Sequence, residues 1–348
     1  MKILILGGTR FLGRHLVKAA LERNHEVTLF NRGTYPSPAG VESIVGDRKN
    51  DLTKLAGRRW DAVIDTCGYL PRTVKAAAEV LRDSVNTYTF ISSQSAYADV
   101  SSPGVSEDSQ LKTLTSDQLN LADEIDSSAQ TSAANFGSLY GGLKALCEQA
   151  VNRAMPNRVL IIRPGLIVGP DDYTDRFTYW VVRIAQGGEV LAPGRPDRFI
   201  QFIDVRDLSD WIVGMTAVGR TGIYNATGPP STLTMGTFLN ECKNECKNVT
   251  DSDASLVWAD EEFLLKEQVA AWSEMPLWLP EGAAPYLRGF MFINTDKAVS
   301  DGLTFRSASE TLRDTLSWYQ NTQPTPELKA GINRIKESQI LETWHRLS

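Results

Sequence analysis

Residues 2–13 read KILILGGTRFLG, and this stretch decides the fold. Its first five residues form a largely apolar run typical of a buried strand, and Gly7 and Gly8 end that run. Glycine lets the backbone turn sharply and approach a phosphate without an intervening Cβ, and a following helix offers free N–H groups at its start. Because the turn stands between a predicted strand and a predicted helix, the stretch indicates a dinucleotide-binding turn.

The alternation of strand-like and helix-like segments continues beyond this turn. Short runs rich in leucine and β-branched residues are separated by segments of helical periodicity. Such alternation predicts an α/β fold of the Rossmann type, a doubly wound parallel sheet with helices on both faces. The predicted strands are Lys2–Leu6, Glu26–Phe30, Glu42–Val45, Ala62–Thr66, Thr87–Ile91 and Val159–Arg163. The predicted helices are Phe11–Arg23, Arg72–Arg82 and Tyr140–Ala154.

The pattern becomes irregular after residue 165, where glycine and proline punctuate the chain. We therefore predict an NAD(P)-binding domain over residues 1–165, with segments near 202–225 returning to its sheet. Residues 166–201 and most of 226–348 are predicted to form a smaller, substrate-binding lobe. A long polar stretch, Asp99–Ser138, precedes Tyr140 and is interpreted either as a lid or as a surface excursion, with a helix at Leu111–Ala122.

Composition narrows the class of protein. The 348 residues are 42% hydrophobic and 22% charged, and the four scattered cysteines argue against a disulfide framework. Cys242 and Cys246 lie four residues apart, but no histidine is near them in sequence, so no metal site is expected. The formal charge of −6 gives no overall attraction for nucleic acid or for an anionic membrane, and no apolar run reaches the roughly 20 residues of a membrane span. A cytoplasmic location is expected.

Two further motifs complete the pattern: Tyr140-x-x-x-Lys144, and Ser93 at the end of a predicted strand. With the glycine turn, they make the chain resemble the extended short-chain dehydrogenase/reductases, often called the NAD-dependent epimerase/dehydratase family. The resemblance covers nearly the whole chain, and the opening Gly-Gly-Thr-Arg-Phe-x-Gly is typical of one branch. The family's turn is G-x-x-G-x-x-G, whereas Arg10 stands at the middle glycine position here. This difference brings a guanidinium close to the expected phosphates.

The end of the second predicted strand bears on the choice of cofactor. NAD-preferring relatives have an acidic residue there, whereas this chain has Asn31 followed by Arg32. A carboxylate would repel a 2′-phosphate, and an arginine can bind it through several donors, so NADP(H) is favoured over NAD(H). The alternative is that Arg32 only points into solvent. The resemblance implies that Asp47 accepts from the adenine amino group. The full set of expected cofactor contacts is Gly7, Thr9, Arg10, Phe11, Leu12, Gly13, Asn31, Arg32, Asp47, Arg48, Cys67, Gly68 and Pro164.

The second motif indicates acid–base chemistry. Positions four apart share one face of a helix, so Tyr140 and Lys144 can reach a common site. A tyrosine whose reference pKa is about 10 ionises near neutrality only in a partly closed pocket that stabilises the phenolate. The resemblance implies that Tyr140 donates the proton, that Lys144 assists it and binds the nicotinamide ribose, and that Ser93 orients the substrate oxygen. The alternative is that Ser92 and Ser93 only cap a strand.

Missing residues help to choose the reaction. Sugar-nucleotide dehydratases of this family have Asp and Glu at the positions of Gln94 and Ser95, so dehydration is not expected. The Arg-Asp pair of the epimerases, whose arginine grips the diphosphate, aligns with residues 200–201, an Ile-Gln pair, although Arg195 or Arg198 lies near enough to replace it. Aromatic residues of the C-terminal lobe suit core packing, and some of them suit a flat, ring-bearing or natural-product-like substrate.

We therefore predict an NADP(H)-dependent reductase or dehydrogenase acting on a small-molecule carbonyl or alcohol. One alternative is a nucleotide-sugar epimerase of the same family. The other is a non-catalytic RNA-binding protein, because the opening motif is also similar to that of chloroplast stem-loop-binding proteins. Binding to nucleic acid or membranes is not expected. A homodimer is predicted through the Tyr-x-x-x-Lys helix, whose apolar surface would come from Ala145, Cys147, Ala150 and Val151.

Overall fold

The computed structural model describes residues 1–128, 133–229, 233–322 and 327–347. The strands in this part of the chain are β1 (Lys2–Leu6), β2 (Glu26–Asn31), β3 (Glu42–Val45), β4 (Ala62–Asp65), β5 (Thr87–Ile91), β6 (Val159–Pro164), β7 (Leu166–Val168), β8 (Gly188–Pro193), β9 (Phe199–Ile200), β10 (Phe202–Asp204), β11 (Gly222–Ala226), β12 (Leu233–Thr234) and β13 (Ala254–Ala259). The α-helices are α1 (Phe11–Glu22), α2 (Pro71–Leu81), α3 (Ser116–Ser128), α4 (Ala133–Phe136), α5 (Tyr140–Ala154), α6 (Thr178–Ala185), α7 (Val205–Ala217), α8 (Met235–Thr250), α9 (Glu261–Lys266), α10 (Asp296–Ser300), α11 (Ala308–Thr322) and α12 (Arg334–Leu347).

Seven strands form one parallel sheet in the order β11-β6-β5-β4-β1-β2-β3. The chain runs outward from β1 to β3 and then returns past β1 to β4, so the strand order reverses beside β1. In open α/β sheets, ligands bind at the carboxyl ends of the strands on either side of such a reversal. The predicted doubly wound parallel sheet is confirmed, and the six predicted strands and three predicted helices agree with the observed bounds to within one residue.

Helices cover both faces of this sheet because its strands are apolar on both faces. Along β1, Ile3 and Ile5 belong to the core beneath α1 and α7, whereas Leu4 and Leu6 belong to the core beneath α2 and α5. Alternate residues of a strand point to opposite faces, and two-sided burial requires both sets to be apolar. This arrangement fixes the carboxyl end of β1 between two packed layers.

The outer surface of α5 differs from the one predicted for a dimer. Ala145, Cys147 and Val151 are buried within the chain, the last two in the core beneath α2 and α5. Of the four residues offered as apolar surface, Ala150 alone is partly exposed. The expected apolar surface is therefore wrong for three of its four residues, because α2 packs on that side of α5. The homodimer itself stays a prediction.

The residues beyond β6 build a second core. It contains residues of α6, α8 and α11, and its largest fully buried side chains include Trp180 and Trp278. As predicted, residues 222–226 return to the main sheet, where β11 pairs with β6. Residues 202–204 do not, because β10 pairs with β7 in a separate two-stranded sheet. The Asp204 side chain caps α7 by accepting from the Arg206 N–H, so the chain turns into a helix that packs on α1.

The polar stretch Asp99–Ser138 contains a helix that begins later than predicted. Leu111 pairs with Tyr97 in a β-bridge, which keeps the chain extended there. The Thr115 N–H then donates to the Gln118 side-chain oxygen, and the Gln118 N–H donates to the Thr115 hydroxyl oxygen. These two bonds have the pattern of a capping box, so α3 begins at Ser116. Residues 129–132 of this stretch lie outside the described residues, and its predicted role as a lid stays a prediction.

Candidate active site

A cavity of about 430 Å³ lies at the carboxyl ends of the central strands. Except for Gly68, every residue predicted to contact the cofactor or to act in catalysis lines this cavity. Gly68 contributes instead through its backbone, because its carbonyl oxygen accepts a hydrogen bond from the Lys144 ammonium. The fold thus brings residues separated by more than one hundred positions in sequence to one place, at the reversal of strand order.

The glycine turn has the close approach that its sequence predicted. Gly7 has a φ of +101°, a conformation that residues with a side chain rarely adopt. A Cβ on Gly13 would lie 2.7 Å from the Cα of Gly8, so α1 packs against the turn only because position 13 is glycine. Arg10 precedes α1 and makes no side-chain cap; the Gly13 N–H donates to the Arg10 carbonyl oxygen, and the N–H groups of Phe11 and Leu12 are the ones suited to an anion.

The Arg10 side chain lies between two aromatic rings at the edge of the cavity. Its guanidinium carbon lies 3.7 Å from the ring centroid of Tyr173 and 5.0 Å from that of Tyr35. Both tyrosines line the cavity and are partly exposed. An arginine stacked on aromatic faces keeps its N–H donors, which lie in the guanidinium plane, free for an anion. Residue 10 therefore supplies an oriented positive charge where the family's pattern has glycine.

The end of β2 presents a second arginine to the cavity. The Asn31 side-chain oxygen accepts a 2.8 Å hydrogen bond from the Gly33 N–H and thereby shapes the turn after the strand. Arg32 is exposed, lines the cavity, and makes no hydrogen bond or ion pair with another described residue. Asn31 and Arg32 stand where NAD-preferring relatives have an acid, so a negatively charged group beside Arg32 would meet a cation.

Arg48 has a structural role that the sequence did not indicate. Its guanidinium donates two hydrogen bonds of 2.9 Å to the fully buried carboxylate of Asp65, which also accepts one of 2.7 Å from the Tyr88 hydroxyl. Burial pushes the pKa of Asp65 up, but the Arg48 charge and these hydrogen bonds outweigh it and lower the pKa. Arg48 therefore forms part of the cavity wall, where its guanidinium is bound to Asp65. The predicted cofactor contacts of Arg48 and of Asp47, which lines the cavity, stay predictions.

Ser93 and Tyr140 bring two hydroxyl groups together. Ser93 follows β5, Tyr140 is the first residue of α5, and their side chains share a hydrogen bond. Burial raises the pKa of Tyr140 to about 12, and the hydrogen bond with Ser93 opposes this increase. Tyr140 is therefore a protonated phenol at neutral pH, able to donate to an oxygen in the cavity.

Lys144 lies one helical turn after Tyr140 and is 2% exposed. Its ammonium donates hydrogen bonds of 2.8 Å to the carbonyl oxygens of Gly68 and Ile91, which follow β4 and end β5. Burial lowers the pKa of this ammonium. A lysine has three N–H donors, so one remains for a group within the cavity.

The family follows from comparison with known proteins. The family model described as "NAD dependent epimerase/dehydratase family" matches residues 3–226, which include the seven-stranded sheet and the residues Ser93, Tyr140 and Lys144. The chain belongs to this family. The description of this family names an NAD dependence and two reactions, epimerisation and dehydration.

Two characterised relatives of this family member differ in function. A 2-alkyl-3-oxoalkanoate reductase of Stenotrophomonas maltophilia (strain K279a) is 29% identical over 178 residues, 49% of this chain and 52% of the relative. The chloroplast stem-loop binding protein of 41 kDa b of Arabidopsis thaliana is 26% identical over 247 residues, 65% of this chain and 58% of the relative. The matched region thus spans just over half the length of each relative.

Solved structures share the fold. The UDP-glucuronic acid 4-epimerase of Bacillus cereus, solved in complex with NAD, superposes with a TM-score of 0.64 over 95% of this chain and 100% of the epimerase. The sequence identity is 16%, so this likeness concerns the fold alone.

A buried polar network that the sequence did not predict lies next to Ser93 and Lys144 in this epimerase/dehydratase family member. Glu148 lies one turn after Lys144 on α5, accepts from the Ser92 hydroxyl, and receives two hydrogen bonds of 3.0 and 2.7 Å from Arg163 of β6. Arg163 also donates to the Tyr97 hydroxyl at 2.9 Å. The only signal in the sequence was a set of charged residues within apolar segments, which does not identify their partners.

The region that binds a diphosphate in the epimerases is occupied by internal contacts here. Ile200 is buried, and Gln201 donates to the carbonyl oxygens of residues 228 and 293 and accepts from the N–H of residue 293. Arg198 is also buried, donates to the carbonyl oxygen of residue 277, and lies 3.8 Å from Glu281. Arg195 pairs with Glu281 at 2.9 Å. Neither arginine lines the main cavity, so neither provides the expected replacement in this arrangement.

Two further features of the described part of the chain concern metal sites and membrane-spanning helices. In the described ranges, no three side chains of His, Cys, Asp or Glu form a group able to hold a metal ion. Cys242 and Cys246 are both buried as free thiols in the core of the C-terminal region. None of the described helices combines the length and the apolar character that crossing a membrane requires.

Proposed function

We propose that this protein is an NADP(H)-dependent reductase or dehydrogenase that acts on a small-molecule carbonyl or alcohol. The observation that carries the proposal is that Ser93, Tyr140 and the buried Lys144, one turn after Tyr140, line the same cavity as the glycine turn. A bound nicotinamide supplies or accepts the hydride. The glycine turn, the start of α1, Arg10 and Arg32 are the groups suited to hold its phosphates.

The side chains have separate tasks in carbonyl reduction. The Tyr140 phenol gives its proton to the substrate oxygen as negative charge develops there. Ser93 donates a hydrogen bond to the same oxygen and thereby stabilises and orients it. The Lys144 ammonium stabilises the phenolate that remains, because two opposite charges attract strongly where water is excluded. In the reverse reaction, the phenolate takes the proton from an alcohol.

The preference for NADP(H) rests on two arginines. Arg32 is exposed beside the strand end that carries Asn31 in place of an acid, and the Arg10 guanidinium is held at the edge of the same cavity. A 2′-phosphate carries negative charge that arginine binds through charge-assisted hydrogen bonds. Such bonds contribute about 1.5–3 kcal/mol each, which corresponds to roughly ten- to a hundredfold in affinity.

A fluorescence titration with NADPH and NADH tests the cofactor. We expect NADPH to bind more tightly, and Arg32→Ala to weaken NADPH roughly tenfold or more while changing NADH less than threefold. Arg59→Ala is the matched control, because Arg59 is exposed but does not line the cavity. Tighter binding of NADH by the unmodified protein would refute the argument from residues 31 and 32.

The substrate is proposed to be a carbonyl compound without a nucleotide diphosphate. Gln201 and Arg198 are engaged in contacts within the chain, and Arg195 pairs with Glu281 and does not line the cavity, which argues against a diphosphate clamp. Tyr69 and Leu70 line the cavity and pack in one apolar cluster with Tyr140, which suits an apolar or aromatic substrate. The reductase relative, whose name describes a 3-oxoalkanoate substrate, also supports carbonyl reduction.

Turnover assays separate this reaction from epimerisation. A panel of aromatic ketones and 3-oxo acids is incubated with NADPH, and UDP-sugars are tested separately for epimerisation without net consumption of the cofactor. We expect NADPH oxidation with a carbonyl compound, and a loss on the order of a hundredfold in Tyr140→Phe. Tyr286→Phe, which changes an exposed tyrosine outside the cavity, is the control. Epimerisation of a UDP-sugar without net cofactor turnover would favour the alternative.

RNA binding is the second candidate, and the chloroplast stem-loop binding relative favours it. The acidic balance of the chain gives RNA no overall attraction, and any binding through a local patch would weaken steeply with salt. Filter binding to a structured RNA at two salt concentrations tests this candidate. Salt-sensitive binding together with an inactive carbonyl screen would replace the enzyme proposal.

A further inference from the structure

Tyr69 lies among the catalytic groups although the predicted catalytic motif does not include it. It follows β4 by four residues, lines the cavity, and is only partly exposed. Its ring centroid lies 6.5 Å from that of Tyr140, and the Lys144 ammonium nitrogen lies 5.0 Å from the Tyr69 centroid. This side chain is therefore in contact with both members of the Tyr-x-x-x-Lys pair.

The Lys144 ammonium has an unusual environment for a buried charge. It makes no ion pair with any described residue, and the nearby carboxylate of Asp65 is already bound by Arg48 through two hydrogen bonds. Burial raises the pKa values of the neighbouring thiols, Cys67 and Cys147, so both stay neutral at physiological pH. The positive charge thus has no anion in direct contact: two carbonyl dipoles and aromatic faces surround it, and the charge of Asp65 acts on it from a distance.

Two aromatic rings lie at almost equal distances from this ammonium. The nitrogen lies 4.9 Å from the ring centroid of Phe90 and 5.0 Å from that of Tyr69. The face of an aromatic ring carries negative electrostatic potential and attracts a cation within about 6 Å, most strongly where water is excluded. A Cβ on Gly68 would lie 2.6 Å from the Phe90 ring, so the close approach that places the Gly68 carbonyl on the ammonium depends on glycine.

We propose that Tyr69 is a positioning residue of this active site: with Phe90 it forms an aromatic pair that holds the Lys144 ammonium charged and directed toward Tyr140. This inference rests on the proposed function, since Lys144 matters for catalysis only if Tyr140 transfers a proton. The ring face carries this role, and the Tyr69 hydroxyl does not. Tyr69 is thus distinguished from a residue that merely fills space, because a leucine of similar bulk cannot replace it whereas a phenylalanine can.

Nuclear magnetic resonance of the Lys144 side chain tests the proposal without substrate or cofactor. Protein labelled with ¹³C-lysine is titrated with base, and the Cε signal of Lys144 is identified by its absence in Lys144→Met. We expect Tyr69→Leu to lower the titration midpoint of Lys144 by about one pH unit, a tenfold change in its acid dissociation constant. Tyr69→Phe should keep the midpoint of the unmodified protein. Tyr286→Leu, at an exposed site outside the cavity, controls for the loss of a tyrosine.

An unchanged midpoint in Tyr69→Leu would overturn the proposal, as would an equal decrease in Tyr69→Phe. If Tyr69→Leu fails to fold, a series with phenylalanine and progressively fluorinated phenylalanines at position 69 replaces it. Fluorine withdraws charge from the ring face with little change of shape, so the midpoint should decrease stepwise with each added fluorine, and a constant midpoint would refute the ring's role. Because the titration needs no turnover, a shifted midpoint in a protein that reduces no carbonyl would contradict the proposed function and leave this inference standing.

Discussion

Replacing Glu148 by glutamine is expected to destabilise the whole protein because it removes the negative charge from a buried network. Glu148 and Arg163 have side chains only 3% and 2% exposed, and the carboxylate accepts hydrogen bonds from Arg163 at both oxygens. The Ser92 hydroxyl donates to the same group, which ties the end of β5 to α5. Glutamine keeps the shape of the side chain but leaves the guanidinium without its counter-charge.

The size of the effect follows from this burial. Removing one partner of a buried ion pair costs about 3–5 kcal/mol, because the remaining charge has lost its solvation by water and gained nothing in return. Native proteins are stable by about 5–15 kcal/mol in total, so Glu148→Gln should remove about a fifth or more of the free energy of unfolding. Activity should fall as well, since Ser93 directly follows Ser92 and Lys144 lies on the same helix as Glu148.

Urea unfolding followed by tryptophan fluorescence measures this loss. Glu79→Gln is the matched control, because it makes the same substitution in an exposed ion pair, in which Glu79 lies 3.7 Å from Lys75. This variant should change stability by less than about 0.5 kcal/mol. Exchanging both Glu148 and Arg163 for leucine and methionine should recover most of the loss, since apolar residues often replace a buried pair at little cost. Equal stabilities of Glu148→Gln and Glu79→Gln would refute the reasoning.

Two further predictions concern the wall of the cavity. Gly13→Ala should lower stability by about 1–3 kcal/mol and weaken cofactor binding, because the new Cβ would meet the backbone of Gly8, whereas Gly214→Ala meets nothing within 4 Å and should be neutral or stabilising in a thermal melt. Asp65→Asn should destabilise the protein at neutral pH by leaving Arg48 unpaired. The pKa of Asp65 is lower in the folded protein than in the unfolded chain, where it is about 3.9. The ionised carboxylate therefore stabilises the fold above that value, and this stabilisation is lost as the pH falls through the folded pKa. The stability difference between Asp65→Asn and the unmodified protein should accordingly narrow in acid.

The central sheet was predictable from sequence because its inner strands are apolar on both faces and are bounded by turn residues. Local pattern is enough for such strands, and their parallel order follows from the alternation with helices. The sequence pattern predicted the wrong structure where a short segment is held by contacts with residues elsewhere in the chain. Residues 202–204 stay outside the main sheet because they pair with β7, and α3 starts late because Leu111 pairs with Tyr97.

The residues of the candidate site also fall into two groups, those that the sequence predicted and those that it did not. Tyr140 and Lys144 could be found because four residues are one helical turn, and the glycine turn because it follows a strand directly. Tyr69, Glu148 and Arg163 could not, since their roles depend on partners far away in sequence: Ser92 and Glu148, for example, are 56 residues apart. A charged residue within an apolar segment signals a buried partner but does not identify it.

The protonation state of Tyr140 connects the structure to the direction of the reaction. Burial raises its pKa to about 12, so the phenol keeps its proton throughout the physiological pH range. In this form it can donate the proton to the oxygen of a carbonyl group during reduction. Oxidation needs the phenolate instead, and the positive charge of an oxidised nicotinamide favours that form, whereas the neutral reduced ring does not. A pH titration of phenolate absorbance measures this, and the component that is lost in Tyr140→Phe is assigned to Tyr140. We expect saturating NADP⁺, and not NADPH, to lower the pH midpoint of that component. A midpoint near neutral pH without any cofactor, or one that NADP⁺ leaves unchanged, would contradict this link between cofactor charge and proton transfer.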